Sequence, residues 1–66
     1  MPDAIARKAH ELGALTLVEA ARLSGIPGTE LARALIERRL RHVMVEGIAH
    51  IPLDALDEYE RTERAS

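Results

Sequence analysis

The pattern of apolar positions changes near Leu40 from the period of a helix to the period of a strand. Before this residue, apolar side chains recur every three or four positions, as they do on one face of a helix. After it, Val43 and Val45 alternate with His42 and Met44, as in a half-buried strand. The pattern therefore predicts helices first and a short β-hairpin second.

The first predicted helix covers Asp3 to Leu12. Ile5, Ala9 and Leu12 form one narrow apolar stripe along it. We expect Asp3 to cap its N-terminus and Gly13 to end it. A stripe this narrow requires the helix to dock on the rest of the chain or on a partner.

A second helix is predicted to begin at Thr16. The tetrapeptide Thr16-Leu17-Val18-Glu19 has the spacing of a capping box, in which Thr and Glu satisfy each other's backbone N–H groups. The helix is predicted to run to Ser24, with Gly25 as its left-handed end. The candidates for its packed face are Ala20, Ala21 and Leu23.

A third helix is predicted from Glu30 to Arg39, with Thr29 as its cap and with Leu31 and Leu35 on its buried face. The connection Ile26-Pro27-Gly28 is short and contains Gly. Two short helices joined in this way are typical of a helix-turn-helix.

The segment MVEGIAHIP, residues 44–52, has the pattern of a β-hairpin with Glu46-Gly47 as its two-residue turn. We expect Pro52 to stop the second strand and Asp54 to cap a last helix that carries Leu56 and Tyr59. Residues 61–66 are predicted to be a frayed tail.

The 66 residues suffice for one small domain. There is no Cys, which excludes disulfides and thiolate metal sites. No apolar run has the length of a membrane span, and the N-terminus lacks the pattern of a signal peptide. We therefore expect a cytoplasmic protein without membrane contact, or one associated with the nucleoid if it binds DNA.

The chain is acidic overall but its charge is unevenly distributed. The net charge is −2 and the pI is about 5.9. Residues 29–45 nevertheless hold four arginines and two glutamates, whereas the C-terminal segment from Leu53 holds five acidic residues and two arginines. The arginines of the middle segment form either a DNA-facing patch or an ordinary solvated face, and their place in the third helix favours DNA.

An enzyme is not expected. No nucleophile–base pair, pair of catalytic carboxylates or phosphate-binding Gly-rich loop is recognisable. The three histidines lack metal-ligand spacing, so we predict no metal and no cofactor.

From Leu15 to Tyr59 the chain resembles the winged-helix domain of phage excisionases and of small MerR-like regulators. The resemblance is carried by Leu15-Thr16, by Glu19-Ala20-Ala21 with Leu23 and Gly25-Ile26, by Val43, Val45 and Gly47, and by Ile51-Pro52 with Leu56. It implies an α+β fold that is mostly α, with a two-stranded hairpin wing and an extra N-terminal helix. The implied boundaries are 1–14 for that helix, 15–60 for the winged-helix domain and 61–66 for the tail.

The resemblance also implies a function in transcription regulation or DNA recombination. The helix at 29–39 would enter the major groove of double-stranded DNA, as a dimer or a cooperative array, and the hairpin would approach the minor groove. The DNA-binding residues implied or added on chemical grounds are Gly28, Thr29, Glu30, Arg33, Arg38, Arg39, Arg41, Gly47 and His50.

The hairpin departs from that family pattern, because Met44, Ile48 and His50 stand where arginine is common. A second hypothesis is therefore a protein-interaction module on the same scaffold, adaptor-like or antitoxin-like. Its candidate contacts are Ile5, Ile48 and Ala49, and its partners would be a second copy, a recombinase or another regulator. Alternatively, Ile48 and Ala49 fold back against the first helix.

Overall fold

Four α-helices and a three-stranded antiparallel sheet form the chain in a computed structural model that describes residues 4–64, without the side chains of residues 6 and 64. The helices are α1 (Ala4–Glu11), α2 (Leu17–Ser24), α3 (Gly28–Ile36) and α4 (Leu53–Tyr59). The strands are β1 (Ala14–Leu15), β2 (Val43–Val45) and β3 (Ile48–Pro52). A π-helical turn, Glu60–Arg64, follows α4 directly.

The start of α2 confirms the predicted capping box. The Glu19 backbone N–H donates to Thr16 Oγ1 over 3.1 Å, and the Thr16 N–H donates to Glu19 Oε1 over 2.9 Å. At the other end Gly25 has φ 77°, and its N–H donates to the Ala21 carbonyl. These local bonds fix the entry and the exit of the helix.

Helix α3 begins earlier and ends earlier than predicted. Pro27 is its N-cap and Thr29 already lies inside the helix, so the prediction that the Thr29 side chain caps it was wrong. Pro27 has φ −56°, which prepares the first turn of a helix without a side-chain cap.

The end of α3 is a Schellman motif. The Arg39 N–H donates to the Ala34 carbonyl over 2.9 Å and the Arg38 N–H to the Leu35 carbonyl over 3.1 Å. Arg38 has φ 60°, a position where Gly is usual. Arg38 and Arg39 therefore lie beyond the helix that was predicted to contain Arg39.

The hairpin has the predicted turn, with φ 53° at Glu46 and 77° at Gly47. Positive φ at both residues matches a type I′ turn, in which Gly47 adopts the second position without strain. Val45 pairs with Ile48 and Val43 with His50. The sheet has a third strand that was not predicted, since β1 pairs antiparallel with the end of β3 and gives the order β1-β3-β2.

The C-terminal segment differs from the prediction at both ends of α4. Pro52 is the last residue of β3 and also the N-cap of α4, so Asp54 lies in the first turn and does not cap it. Residues 61–64 continue the helix as a π-helical turn instead of fraying. The prediction for residues 65 and 66 lies outside the described residues.

Two hydrophobic clusters stabilise this arrangement. The larger one joins α2, α3, β3 and α4 around Leu31, Ile51 and Tyr59. The smaller one joins α1 to the sheet through Ala9, Ala14 and Val45. Leu23 was predicted to be packed, but it is 66% exposed. In residues 4–64 no helix is long and apolar enough to cross a membrane.

Candidate nucleic-acid interface

The first turns of α3 form an exposed surface that combines a helix N-terminus with a cation. Pro27, Thr29, Glu30 and Arg33 line a shallow groove there. Thr29 and Arg33 lie one turn apart and are both exposed. Gly28 adds no side chain, and a Cβ at this position would meet nothing within 4 Å. We refer to residues 27–33 as the α3 entry surface.

Backbone donors at the α3 entry surface remain available to an acceptor from outside. The first internal bonds of the helix are donated by Glu30 and Leu31 to the Pro27 carbonyl. No side chain of the described residues caps this N-terminus. A helix end of this kind favours an anion through its N–H groups and its dipole.

Arg33 is the cation of the α3 entry surface. Its side chain is exposed and forms no ion pair with any side chain of residues 4–64. A guanidinium in this state can pair with a phosphate or bind a guanine edge through two hydrogen bonds.

Glu30 is a more constrained member of this surface than the sequence indicated. It is half-buried, and its Oε2 accepts a hydrogen bond of 3.2 Å from the Tyr59 hydroxyl. This bond connects α3 to α4 and directs part of the carboxylate toward the protein. Glu30 therefore serves the packing of α3 as well as the surface.

Arg39 has strong internal partners. Its guanidinium contacts Glu37 Oε1 at 2.8 Å and Glu63 Oε1 at 2.7 Å. The hydrogen bonds that the guanidinium donates to Glu37 and then to Glu63 raise the pKa of Arg39 well above its ordinary value. Two carboxylates thus surround the one cation, and the local charge is no longer positive.

Arg41 is compensated in a similar way by α4. Its Nη2 lies 3.4 Å from Asp54 Oδ2 and 3.4 Å from Glu58 Oε2. All three side chains are more than half exposed, so each contact is individually weak. The acidic face of α4 nevertheless lowers the positive potential around Arg41.

Within residues 4–64, Arg38 lacks the carboxylate partners that Arg39 and Arg41 have. It is exposed and has no ion pair among the described residues, like Arg33. Its position past the end of α3, however, separates it from the helix N-terminus and from Thr29.

The hairpin tip has a neutral pair of charges instead of a basic surface. Lys8 Nζ of α1 contacts Glu46 Oε1 at 2.6 Å. This hydrogen bond raises the pKa of Lys8 and lowers the pKa of Glu46. Gly47 supplies the turn without a charge, so the tip offers little attraction to phosphate.

His50 is not available for a phosphate contact. The side chain was predicted to be on the surface, but the residue is 1% exposed and its Nδ1 lies 2.8 Å from the Ile48 carbonyl. As the cross-strand partner of Val43, it lies on the same face of the hairpin as Val45, which packs on α1.

The residues proposed for protein contact divide between surface and interior. Ile48 is 49% exposed, whereas Ala49 is half-buried and Ile5 packs on the smaller cluster. The hairpin does pack toward α1, through Val45 and the Lys8–Glu46 pair.

Sequence reasoning missed the ion pairs between residues far apart in the chain. Lys8 lies 38 positions from Glu46, and Arg39 lies 24 positions from Glu63. The only available signal was the opposite charge of residues 29–45 and the C-terminal segment, which does not specify the pairs.

Comparisons of the chain with protein-family models, curated proteins and solved structures found no match. The described fold is a small α+β arrangement of helices with an antiparallel sheet. The winged-helix resemblance of residues 15–59 therefore remains a prediction from the sequence.

Proposed function

We propose that this chain is a small sequence-specific DNA-binding protein with a winged helix-turn-helix, of the excisionase or MerR-like regulator type. In this proposal α2 and α3 are the two helices of the motif and the β2–β3 hairpin is the wing. The observation that carries it is Arg33, an exposed cation without an ion pair among the described residues, one turn from a helix N-terminus that no side chain caps.

The proposed contacts are concentrated on the α3 entry surface. The N–H groups at the start of α3 and the Thr29 hydroxyl would bind a backbone phosphate. Arg33 would then extend into the major groove, where guanine presents two acceptors to a guanidinium.

The hairpin would have a smaller role than in a basic wing. The Lys8–Glu46 pair leaves its tip neutral, and Met44 and Ile48 are 59% and 49% exposed. Few phosphate contacts imply weak binding by one copy, so the functional form would bind as a dimer or a cooperative row. Its action would be architectural, by bending DNA or by positioning another protein on it.

The test is a fluorescence-anisotropy titration of the chain with random-sequence duplex DNA at about 50 mM and about 200 mM salt. The proposal predicts measurable binding at the lower concentration that weakens at the higher one, because phosphate contacts release counterions. Absence of binding at low salt by the folded chain would contradict the proposal.

The second candidate function is a protein-interaction module with little DNA binding. It is favoured by one observation, the compensation of Arg39 and Arg41 by carboxylates of the C-terminal segment. The same titration distinguishes the two functions, since a module of this kind would not bind duplex DNA at either salt concentration.

A further inference from the structure

A second surface lies at the opposite end of α3 and has a different chemistry. A groove of about 640 Å³ opens between the end of this helix, the connection to β2 and the end of β3. Its lining includes Ile36, Val43 and Pro52 as apolar residues and Arg38, Arg41 and His42 as basic ones. We call it the basic–apolar groove.

The apolar part of this groove is unusually exposed for a small chain. Ile36 is 82% exposed, the highest value among the large exposed hydrophobic residues of the described chain, and Val43 is 39% exposed. Exposed apolar side chains that are adjacent and rimmed by polar groups are typical of an interaction site. DNA backbone contacts do not require such a surface.

The groove also borders an unpaired strand edge. Val43 is the first residue of β2, and β2 is an outer strand of the sheet formed by the described residues. Neither Pro nor Lys protects this strand, although such residues commonly block strand edges. In this antiparallel register the N–H and C=O of Met44 point away from β3, so the edge offers one residue for backbone hydrogen bonds to an extended segment.

The charges of the lining indicate the partner. No Asp or Glu is among the described residues that line the groove. Arg38 has no ion pair among the described residues and is the free cation of the lining, whereas Arg41 is partly compensated by Asp54 and Glu58 at 3.4 Å. This set of charges complements carboxylates.

A second copy of the chain fits this groove poorly. If two copies paired through their β2 edges, a two-fold axis would place the arginines of one rim near those of the other, and like charges would repel. The acidic residues of α4 are helical, and Asp54 and Glu58 already contact Arg41.

We propose that the basic–apolar groove binds an extended, acidic and apolar segment of a partner protein. An apolar side chain of the segment packs on Ile36 and Val43, and a neighbouring carboxylate pairs with Arg38. This inference goes beyond DNA binding and is independent of the α3 entry surface. It would give the protein a means of recruiting a partner while α3 binds DNA.

The probe is a short fluorescein-labelled peptide in which valine or isoleucine alternates with aspartate or glutamate. A matched peptide has asparagine and glutamine in place of the acids. We expect saturable binding of the acidic peptide and at least about fivefold weaker binding of the amide peptide, because the amides lose the charge pairing. Equal binding of the two peptides would overturn the assigned chemistry.

Two protein variants locate the peptide. Ile36→Ser should weaken binding by about fivefold or more. The matched control is Leu23→Ser, which replaces another exposed apolar side chain, on α2 and 66% exposed, and should not weaken binding. Circular dichroism checks that both variants are folded. Equal effects of the two variants, or no peptide binding by the folded wild-type chain at millimolar concentration, would overturn the proposal.

Sedimentation velocity tests the competing occupant. We expect Ile36→Ser to leave the oligomeric state unchanged. A wild-type dimer that dissociates in the Ile36→Ser variant would show that a second copy fills the groove and would also overturn the proposal.

Discussion

Arg33 and Arg39 belong to the same short stretch of chain, yet the fold gives their charges opposite surroundings. Arg33 projects from α3 beside an uncapped helix N-terminus and has no acidic partner within residues 4–64. Arg39 lies beyond the helix, between Glu37 and Glu63. The difference teaches that a basic segment of sequence is not equivalent to a basic surface, because distant carboxylates return to neutralise part of it.

The largest expected effect is the contrast between two alanine variants in DNA binding. Arg33→Ala should weaken binding by roughly 1–3 kcal/mol if the side chain binds a base edge. Arg39→Ala should change it much less, because Arg39 is already paired with Glu37 and Glu63 and lies outside the proposed DNA contacts. The measurement is anisotropy with duplex DNA at low salt.

Arg22→Ala is the control for this contrast. Arg22 is exposed on α2, outside the α3 entry surface, and has no ion pair among the described residues. It removes the same charge as Arg33→Ala. Equal losses in the Arg22 and Arg33 variants would mean that only net charge matters, and the special role of Arg33 would be lost.

The next effect is a gain of binding. The double variant Glu37→Gln with Glu63→Gln removes both carboxylates from Arg39 while keeping hydrogen-bonding side chains. DNA affinity should rise severalfold, and the slope of log affinity against log salt should steepen by roughly 1 if Arg39 then binds a phosphate. The slope is measured over a salt series. An unchanged affinity would show that Arg39 lies too far from the DNA.

A smaller effect is expected from substitutions of Arg38, where the effect of the backbone conformation on stability can be separated from the effect of the charge. Arg38→Gly should raise the free energy of unfolding by up to about 1 kcal/mol, because Gly adopts φ 60° without strain. The gain is limited because Gly also increases the conformational entropy of the unfolded chain. Urea denaturation measures this change. Arg38→Ala, which removes the same charge but keeps a Cβ, should not stabilise the fold, and a gain in this control would contradict the backbone explanation.

The smallest expected effect is a loss of stability at acid pH. Lowering the pH is also the simplest way to neutralise the carboxylates around Arg39. The hydrogen bond from the Thr16 backbone, followed by the contact with His10, lowers the pKa of Glu19 below its ordinary value of 4.5. The stability from this shift is present above pH 4.5 and is lost as pH falls through the lowered pKa.

Thermal unfolding of the wild type and of Glu19→Gln checks this point. Gln keeps the capping bonds but cannot titrate, so its Tm should fall less between pH 5 and pH 3 than that of the wild type. Identical pH dependence in the two chains would exclude Glu19 as a source of acid sensitivity. Above pH 5 the stability does not change through Glu19, and only there do changes of DNA affinity with pH reflect the DNA-binding surface alone.

Local signals predicted the helices and the hairpin well. Thr16 and Glu19 define a helix start by direct hydrogen bonds, and Glu46-Gly47 defines a type I′ turn by backbone preference. Such signals depend on residues within four positions of one another, which is why they are visible in a sequence.

Two further errors arose where tertiary contacts decide the outcome, in addition to the misplaced caps of α3 and α4. Strand β1 has only two residues, and its existence depends on pairing with Ile51 and Pro52 far along the chain. The residues after α4 stay helical beside the Arg39–Glu63 contact. The periodicity of one segment reveals neither the pairing of β1 with β3 nor the Arg39–Glu63 contact.

The sequence predicted the chemistry of the candidate site but not which of the proposed residues are available for binding. The sequence proposed Thr29 and Arg33 as DNA contacts, and both residues are exposed in the structure. His50, Arg39 and Arg41 were included for their residue type and for their place on the hairpin or at the end of the third helix. Burial removed the first from the surface, and carboxylates of distant segments compensate the other two.

The central claim is that duplex DNA binds the α3 entry surface and not the Arg39–Arg41 region. The most direct measurement is a map of backbone amide chemical shifts of ¹⁵N-labelled chain during titration with duplex DNA at low salt. The account predicts the largest shifts at residues 28–33 and small ones at residues 39–41. Largest shifts at residues 39–41, or none at residues 28–33 on saturation, would contradict it.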